Sequence, residues 1–196
     1  MKNNEHITYG KGLLEGDHIW YIASNNSEDV EALKDITKTV DEILPNAVGL
    51  GEVSDEGVTK TPGYGESEAV RNQAGSPVIH SDGDYEPSSA FSLMQTAGDK
   101  SVDEVLFGKN NIIEDANGGY VIKENSGNNS KGIFVIETSY DNGGKERTIY
   151  PNGLIKLSDD VVYNYSDVNL YPVTITPSVD EFGNAAYTVK SSGIAG

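Results

Sequence analysis

The chain has 196 residues and no cysteine, and its 31 Asp and Glu outnumber 14 Lys and Arg to give a formal net charge of −17. These totals exclude disulfides and thiolate metal sites. They also argue against a protein that holds nucleic acid by displacing phosphate counterions with Lys and Arg. A chain of this length suits one domain that buries roughly 70% of its unfolded surface, and no stretch approaches the roughly 20 apolar residues of a membrane helix.

Residues 1–17 are polar and read as an N-terminal arm, without the apolar run of a secretory leader. The run "HIWYIAS" at 18–24 is aromatic and β-branched, the composition of a strand. Val30, Leu33, Ile36, Val40, Ile43 and Leu44 then recur at near-helical spacing. Glu28, Asp29 and Glu31 crowd the start of that predicted helix, where its dipole favours carboxylates, and Pro45 stops it.

Residues 48–87 have little apolar content and recurrent glycine, with short strands expected at 58–61 and 78–81. A loop this long in a compact domain is usually functional or disordered until bound. The run "SSAFSLMQTA" at 88–97 alternates apolar and polar residues as a half-buried strand does. Ser101 and Glu104 have the S-x-x-E spacing of a capping box. They precede a short helix bearing Val102, Val105, Leu106 and Phe107, which Gly108 ends.

The rest reads as hairpins. Asn117-Gly118-Gly119, Asn142-Gly143-Gly144 and Asn152-Gly153 supply the positive φ angles of tight turns, and a final hairpin is expected around residues 180–184. The tail, 191–196, is small and flexible in composition. The expected architecture is mainly β: an antiparallel sandwich or distorted barrel over residues 18–190. One or two short helices flank it, with a long inter-strand loop at 57–75 and flexible terminal arms. Phe91, Leu93, Phe107, Ile149 and Val173 are expected in its core.

The residues offer little chemistry. His6, His18 and His80 lie in different segments, and none has a partner at metal-ligand spacing. No nucleophile elbow is present. The Gly-bearing run at 63–70 lacks the Lys-Ser/Thr of a phosphate loop and carries Glu instead. The acidic runs at 81–84 and 157–160 do not match the twelve-residue calcium loop and read as turns. The sequons at Asn25 and Asn164 have no secretory leader to give them meaning. Close carboxylate pairs follow from the abundance of acids, and a glycosidase site would ordinarily offer more than one Trp. The chain is therefore expected to catalyse nothing and to hold neither cofactor nor metal.

Five segments in order carry a resemblance. They are "GLGEVSDEGVTK" at 49–60, the polar loop ending in "GSPVIHSDGDYEPSSAFSLMQT", "SVDEVLFGKNNI" at 101–112, "ERTIYPNGLIK" at 146–156 and "LYPVTITPSVDEFGNAAYTV" at 170–189. Together they resemble the major tail tube protein of long, non-contractile phage tails, over about residues 48–190.

The resemblance implies a virion protein, present in the host cytoplasm before assembly. Its copies form hexameric rings stacked into a hollow tube that carries viral DNA through an acidic lumen without specific binding. It implies as partners other copies of the chain and the tape-measure, tail-terminator and distal tail proteins, and no membrane. The loop would bridge subunits, with Asp55, Glu56, Gly57, Lys60, Tyr64, Glu66, Glu68, Arg71 and Gly75 as candidate assembly residues. Arg147, a rare cation here, is read as an ion-pair partner across strands or subunits. The rival readings are an inner-tube protein of a contractile tail or secretion-system machine, and an adhesin-like or carbohydrate-binding β-sandwich.

Overall fold

A computed structural model describes residues 10–11, 19–65, 68–74, 76–81, 85–94, 100–125, 130–163 and 168–192. In chain order the elements are β1 (Gly10–Lys11), β2 (Ile19–Ile22), α1 (Ser27–Ala32), α2 (Val40–Ile43), β3 (Val48–Gly49), β4 (Thr59–Thr61), β5 (Glu68–Arg71), β6 (Pro77–Ser81) and β7 (Ser88–Leu93). After these come α3 (Lys100–Phe107), β8 (Ile112–Glu114), β9 (Tyr120–Ile122), β10 (Lys131–Tyr140), β11 (Lys145–Leu157), β12 (Tyr171–Ser178) and β13 (Tyr187–Ser191). The architecture is mainly β, as expected from the sequence.

Nine strands form one antiparallel sheet with the path β3-β2-β10-β11-β12-β7-β4; β1 also pairs with β10, and β13 with β11. The segment around β3 joins the two ends of this path. Leu50 N–H donates to the Ile19 carbonyl on β2, Ser54 N–H to Ser92 on β7, and Met94 N–H to Glu52. Val53 also bridges Leu93. The sheet thereby curls into a distorted barrel, closed through residues 50–54.

Alternation fills the barrel. Tyr171, Val173 and Ile175 of β12 and Phe91 and Leu93 of β7 point inward, to pack with Phe134, Ile136, Tyr150 and Ile155. Val102, Val105 and Leu106 of α3 join the same core. Burying each large apolar side chain stabilises the fold by about 1.5–3 kcal/mol. Tyr150 keeps its polar end satisfied by a 2.6 Å hydrogen bond with Ser89 Oγ. A second cluster covers the outer face of β2, β10 and β11. It packs Ile133, Val135 and Ile149 against Val30, Leu33 and Val40 of the α1–α2 region.

Four sequence expectations are corrected. The single helix over residues 30–44 is two short helices. Asp35 breaks it by accepting hydrogen bonds from Thr37 N–H and Thr37 Oγ1, a turn that competes with helix. Glu42 then restarts it by reaching back to Thr39 N–H at 2.9 Å. Ser101, assigned as the cap of the third helix, is not its N-cap, because α3 begins at Lys100 and places Ser101 within its first turn. Glu104 pairs with Lys100 instead.

Asn152-Gly153 is no turn: both residues lie inside β11. The register there shifts between Gly132 and Phe134 on β10, so Pro151 and Asn152 together oppose the single residue Ile133. A bulge is where a strand tolerates proline, which has no N–H for the ladder. The extra residue also reverses the side-chain parity, so Tyr150 and Ile155, an odd number of positions apart, both face the barrel core. Finally, β12 and β13 do not form a hairpin with each other. Both pair with β11, β12 along residues 152–157 and β13 along 145–149. They are one broken strand interrupted by the excursion at 179–186.

The terminal segments are also partly engaged. Gly10 and Lys11, expected in the arm, pair with Tyr140 and Ser139. Ser191, expected in the tail, closes β13 opposite Lys145.

Three loops share one design, a turn closed by a positive-φ glycine: residues 115–119 with Gly118 (φ 84), 140–144 with Gly143 (φ 79) and 180–184 with Gly183 (φ 80). In each, the first residue's N–H donates to the fifth residue's carbonyl. The glycine adopts the left-handed conformation that side-chain-bearing residues avoid.

Candidate assembly surface

The long segment between β4 and β7 contains a hairpin of its own. β5 and β6 pair antiparallel, with a register shift between Val70 and Arg71, as a two-stranded sheet separate from the barrel sheet. The strand expected at 78–81 is therefore real, and its partner β5 is an element the sequence pattern had left as loop. The turn joining them is held by Asn72, whose Oδ1 accepts from Ala74 N–H and Ser76 N–H, both at 3.0 Å.

The hairpin's base is pinned. Glu86 N–H donates to the Gly63 carbonyl at 2.9 Å, and the rings of Tyr64 and Tyr85 sit 5.1 Å apart. Gly63 has φ 61, and a Cβ there would lie 1.8 Å from the Glu86 carbonyl oxygen, so only glycine fits this close approach. Tyr64 is 80% exposed, and Tyr85 and Val78 are also exposed. Large side chains in the open at the root of a polar hairpin are suited to contact with another surface.

The remaining predicted residues are distributed as follows. Asp55 and Glu56 are exposed in a turn closed by Gly57 N–H donating to the Ser54 carbonyl, with Gly57 at φ 71. Glu68 and Arg71 lie on β5. Glu66 and Gly75 lie outside the described residues. Lys60 on β4 faces its own fold: its Nζ donates to Thr148 Oγ1 at 2.8 Å and Thr188 Oγ1 at 3.1 Å, and stands 3.7 Å from Glu146. Burial pushes the Lys60 ammonium below its ordinary value, against the pull of Glu146. Glu146 in turn takes Lys190 Nζ at 2.8 Å and the Tyr140 hydroxyl at 2.5 Å.

Arg147 is 1% exposed and sits directly across from Glu137 in the β10–β11 ladder. Its Nε and Nη2 reach one Glu137 oxygen at 2.8 and 2.6 Å. The other donors bind the carbonyls of Leu33, Asp35 and Lys38 at 2.6–3.0 Å. The geometry is an inter-strand pair within one subunit, and it also fastens the α1–α2 connection to the barrel. The three backbone carbonyls it binds had no signature in the sequence.

A concavity of about 370 Å³ lies between α1 and the loop at 180–184, lined by Asn26, Glu31, Lys34, Asp180, Phe182 and Tyr187 among others. Its lining residues are bound to one another: Tyr187 donates to Asp180 Oδ2 at 2.6 Å, and Lys34 Nζ lies 4.3 Å from the centre of the Tyr187 ring. Among the described residues no three His, Asp or Glu side chains gather as a metal set would, and no helix is long and apolar enough to cross a membrane. Compared with models of protein families and with curated proteins, the chain matches none.

Proposed function

We propose that this chain is a structural subunit whose copies assemble into rings and stack as the tube of a long, non-contractile phage tail, with DNA passing through an acidic lumen. The observation that carries the reading is the β5–β6 hairpin. Among the described residues its two strands pair only with each other. An isolated two-stranded hairpin is marginal in water, and unpaired strand edges are templates for pairing with another chain. A second copy would supply the missing partner.

Two further features agree with this reading. The barrel closes on itself, which makes a rigid unit from which an arm can reach. The net charge of −17 leaves few cations to retain a passing polyanion.

Because the Gly63 carbonyl and Glu86 N–H touch, the hairpin can be replaced by a short Gly-Ser link from Tyr64 to Tyr85 without moving the barrel. The test is negative-stain electron microscopy of both proteins, concentrated in moderate salt to screen their mutual repulsion. The intact chain should form hollow tubes. The linked variant should remain monomeric while melting at nearly the same temperature. Monomers of the intact chain at every concentration and salt, or tubes from both proteins, would sink the proposal.

A further inference from the structure

The three Asn-Gly pairs, at 117–118, 142–143 and 152–153, are the sites where backbone chemistry is least obstructed, since glycine leaves its own nitrogen sterically open. The fold treats each differently. Asn152 sits within β11, with its Nδ2 donating to the Val179 carbonyl at 3.1 Å, and Gly153 is paired on both sides, with Gly132 and with Pro177. Asn142 is exposed in its turn, but its Oδ1 accepts from Gly144 N–H at 2.9 Å, and Gly143 N–H is bound to the Tyr140 carbonyl at 3.0 Å.

Asn117 occupies the same turn position as Asn142, and the two turns differ at their first two residues, Asp115-Ala116 in one and Tyr140-Asp141 in the other. The Asp115 carboxylate takes over the capping work, accepting from Asn117 N–H at 2.7 Å and Gly119 N–H at 2.9 Å. The Asn117 amide is thereby left without a hydrogen bond among the described residues. The Gly118 N–H reaches the Asp115 carbonyl only at 3.5 Å, beyond the usual range for such a bond. Asn117 and Gly118 are both exposed.

We infer that Asn117 is a site of spontaneous backbone-assisted deamidation, and that the other two Asn-Gly pairs are protected by the fold. The Gly118 nitrogen attacks Asn117 Cγ. The new N–Cγ bond forms as the Cγ–Nδ2 bond breaks, and ammonia leaves with the proton given up by the Gly118 nitrogen. Water then opens the succinimide at either carbonyl, leaving aspartate or isoaspartate and one added negative charge. The isoaspartate product lengthens the main chain inside a turn whose glycine is already at φ 84. It would loosen the β8–β9 hairpin, and with it the 2.6 Å bond from Tyr120 on β9 to the buried Asp103.

The test incubates the full folded chain at mildly alkaline pH and follows the three sites by peptide mass spectrometry, beside a sample held in urea. In the folded chain Asn117 should convert several-fold faster than Asn142, and Asn152 slowest of all. In urea the three rates should converge, because the local sequences then differ little. An Asp115→Ala variant should slow Asn117, since the Gly119 N–H, no longer held by Asp115, is free to donate to the Asn117 side-chain oxygen as that of Gly144 donates to Asn142. Conversion of Asn142 or Asn152 as fast as Asn117 in the folded chain, the same rank order at the same spread in urea, or an unchanged Asn117 rate in Asp115→Ala would each overturn the inference.

Discussion

Arg147 concentrates more of the fold in one side chain than any other described residue. A guanidinium offers five donors in a fixed fork, and here that fork ties β11 to β10 through Glu137 and to the α1–α2 connection through three carbonyls. Removing one partner of a buried pair costs about 3–5 kcal/mol, because the other charge is left unpaired. Arg147→Met is expected to lose about that much in urea unfolding, and to expose the connection to faster amide exchange at residues 33–38. Glu137→Gln should cost clearly less, since its amide oxygen still accepts from the guanidinium. Equal losses from the two variants would show that the carbonyl contacts contribute little.

At the scale of an element, the bulge in β11 is the decisive irregularity. Gly132 and Gly153 face each other across the β10–β11 ladder, and each leaves room for a different neighbour. A Cβ on Gly132 would meet the Ile22 carbonyl at 2.3 Å, and one on Gly153 would meet the Phe134 ring at 2.5 Å. Gly153→Ala forces a core ring from its place, and overpacking of this kind costs about 1–3 kcal/mol. The expected outcome is a lower urea midpoint with an unchanged slope, the sign of lost stability without a change in exposed surface. A midpoint equal to the parent's would mean that Phe134 yields freely. The break between β12 and β13 falls at the same place: β13 pairs with β11 up to Ile149 and β12 from Asn152 onward, on either side of the bulge, where a strand locally bends.

For the whole molecule, the acid side of the stability curve follows from its carboxylates. Asp35 and Asp41 are held below the usual carboxylate range by hydrogen bonds from Thr37 and Thr39, and Glu114 by Lys100. Burial raises Glu146 and Asp180, but hydrogen bonds from Lys190 and Tyr140 to the first, and from Tyr187 and backbone N–H groups to the second, leave both lowered. A depressed folded value means that stability is present above the unfolded value and is lost as pH falls through the folded one. The melting temperature should therefore hold from neutrality to about pH 5 and fall steeply below about pH 4. Tyr21, Tyr150 and Tyr171 are pushed up by burial, so their contribution is whole below about pH 10 and is lost as pH rises through the folded values. Thermal melts across pH, with tyrosinate absorbance on the alkaline side, check both limbs. A melting temperature still rising below pH 4 would contradict the acid one.

Local pattern determined much of this protein. Alternation in 88–93 and 171–177, the Asn-Gly turns at 117 and 142, and the stop at Gly108 are all legible because period, turn geometry and glycine's left-handed φ are properties of a few neighbouring residues. Of the candidate surface, the turn at Asp55–Gly57 and the length and polarity of the 57–75 segment were legible in the same way. Tertiary structure decided the rest. Asn152-Gly153 has the composition of a turn, but pairing with β10 and β12 on both sides outweighs that local preference. Residues 30–44 have helical spacing, yet Arg147, distant in sequence, binds the carbonyls of Leu33, Asp35 and Lys38 at the point where the helix breaks. Barrel closure through residues 50–54 and the turning of Lys60 toward Glu146 join segments far apart in the chain. No window of sequence contains both partners, so only the folded packing could select them.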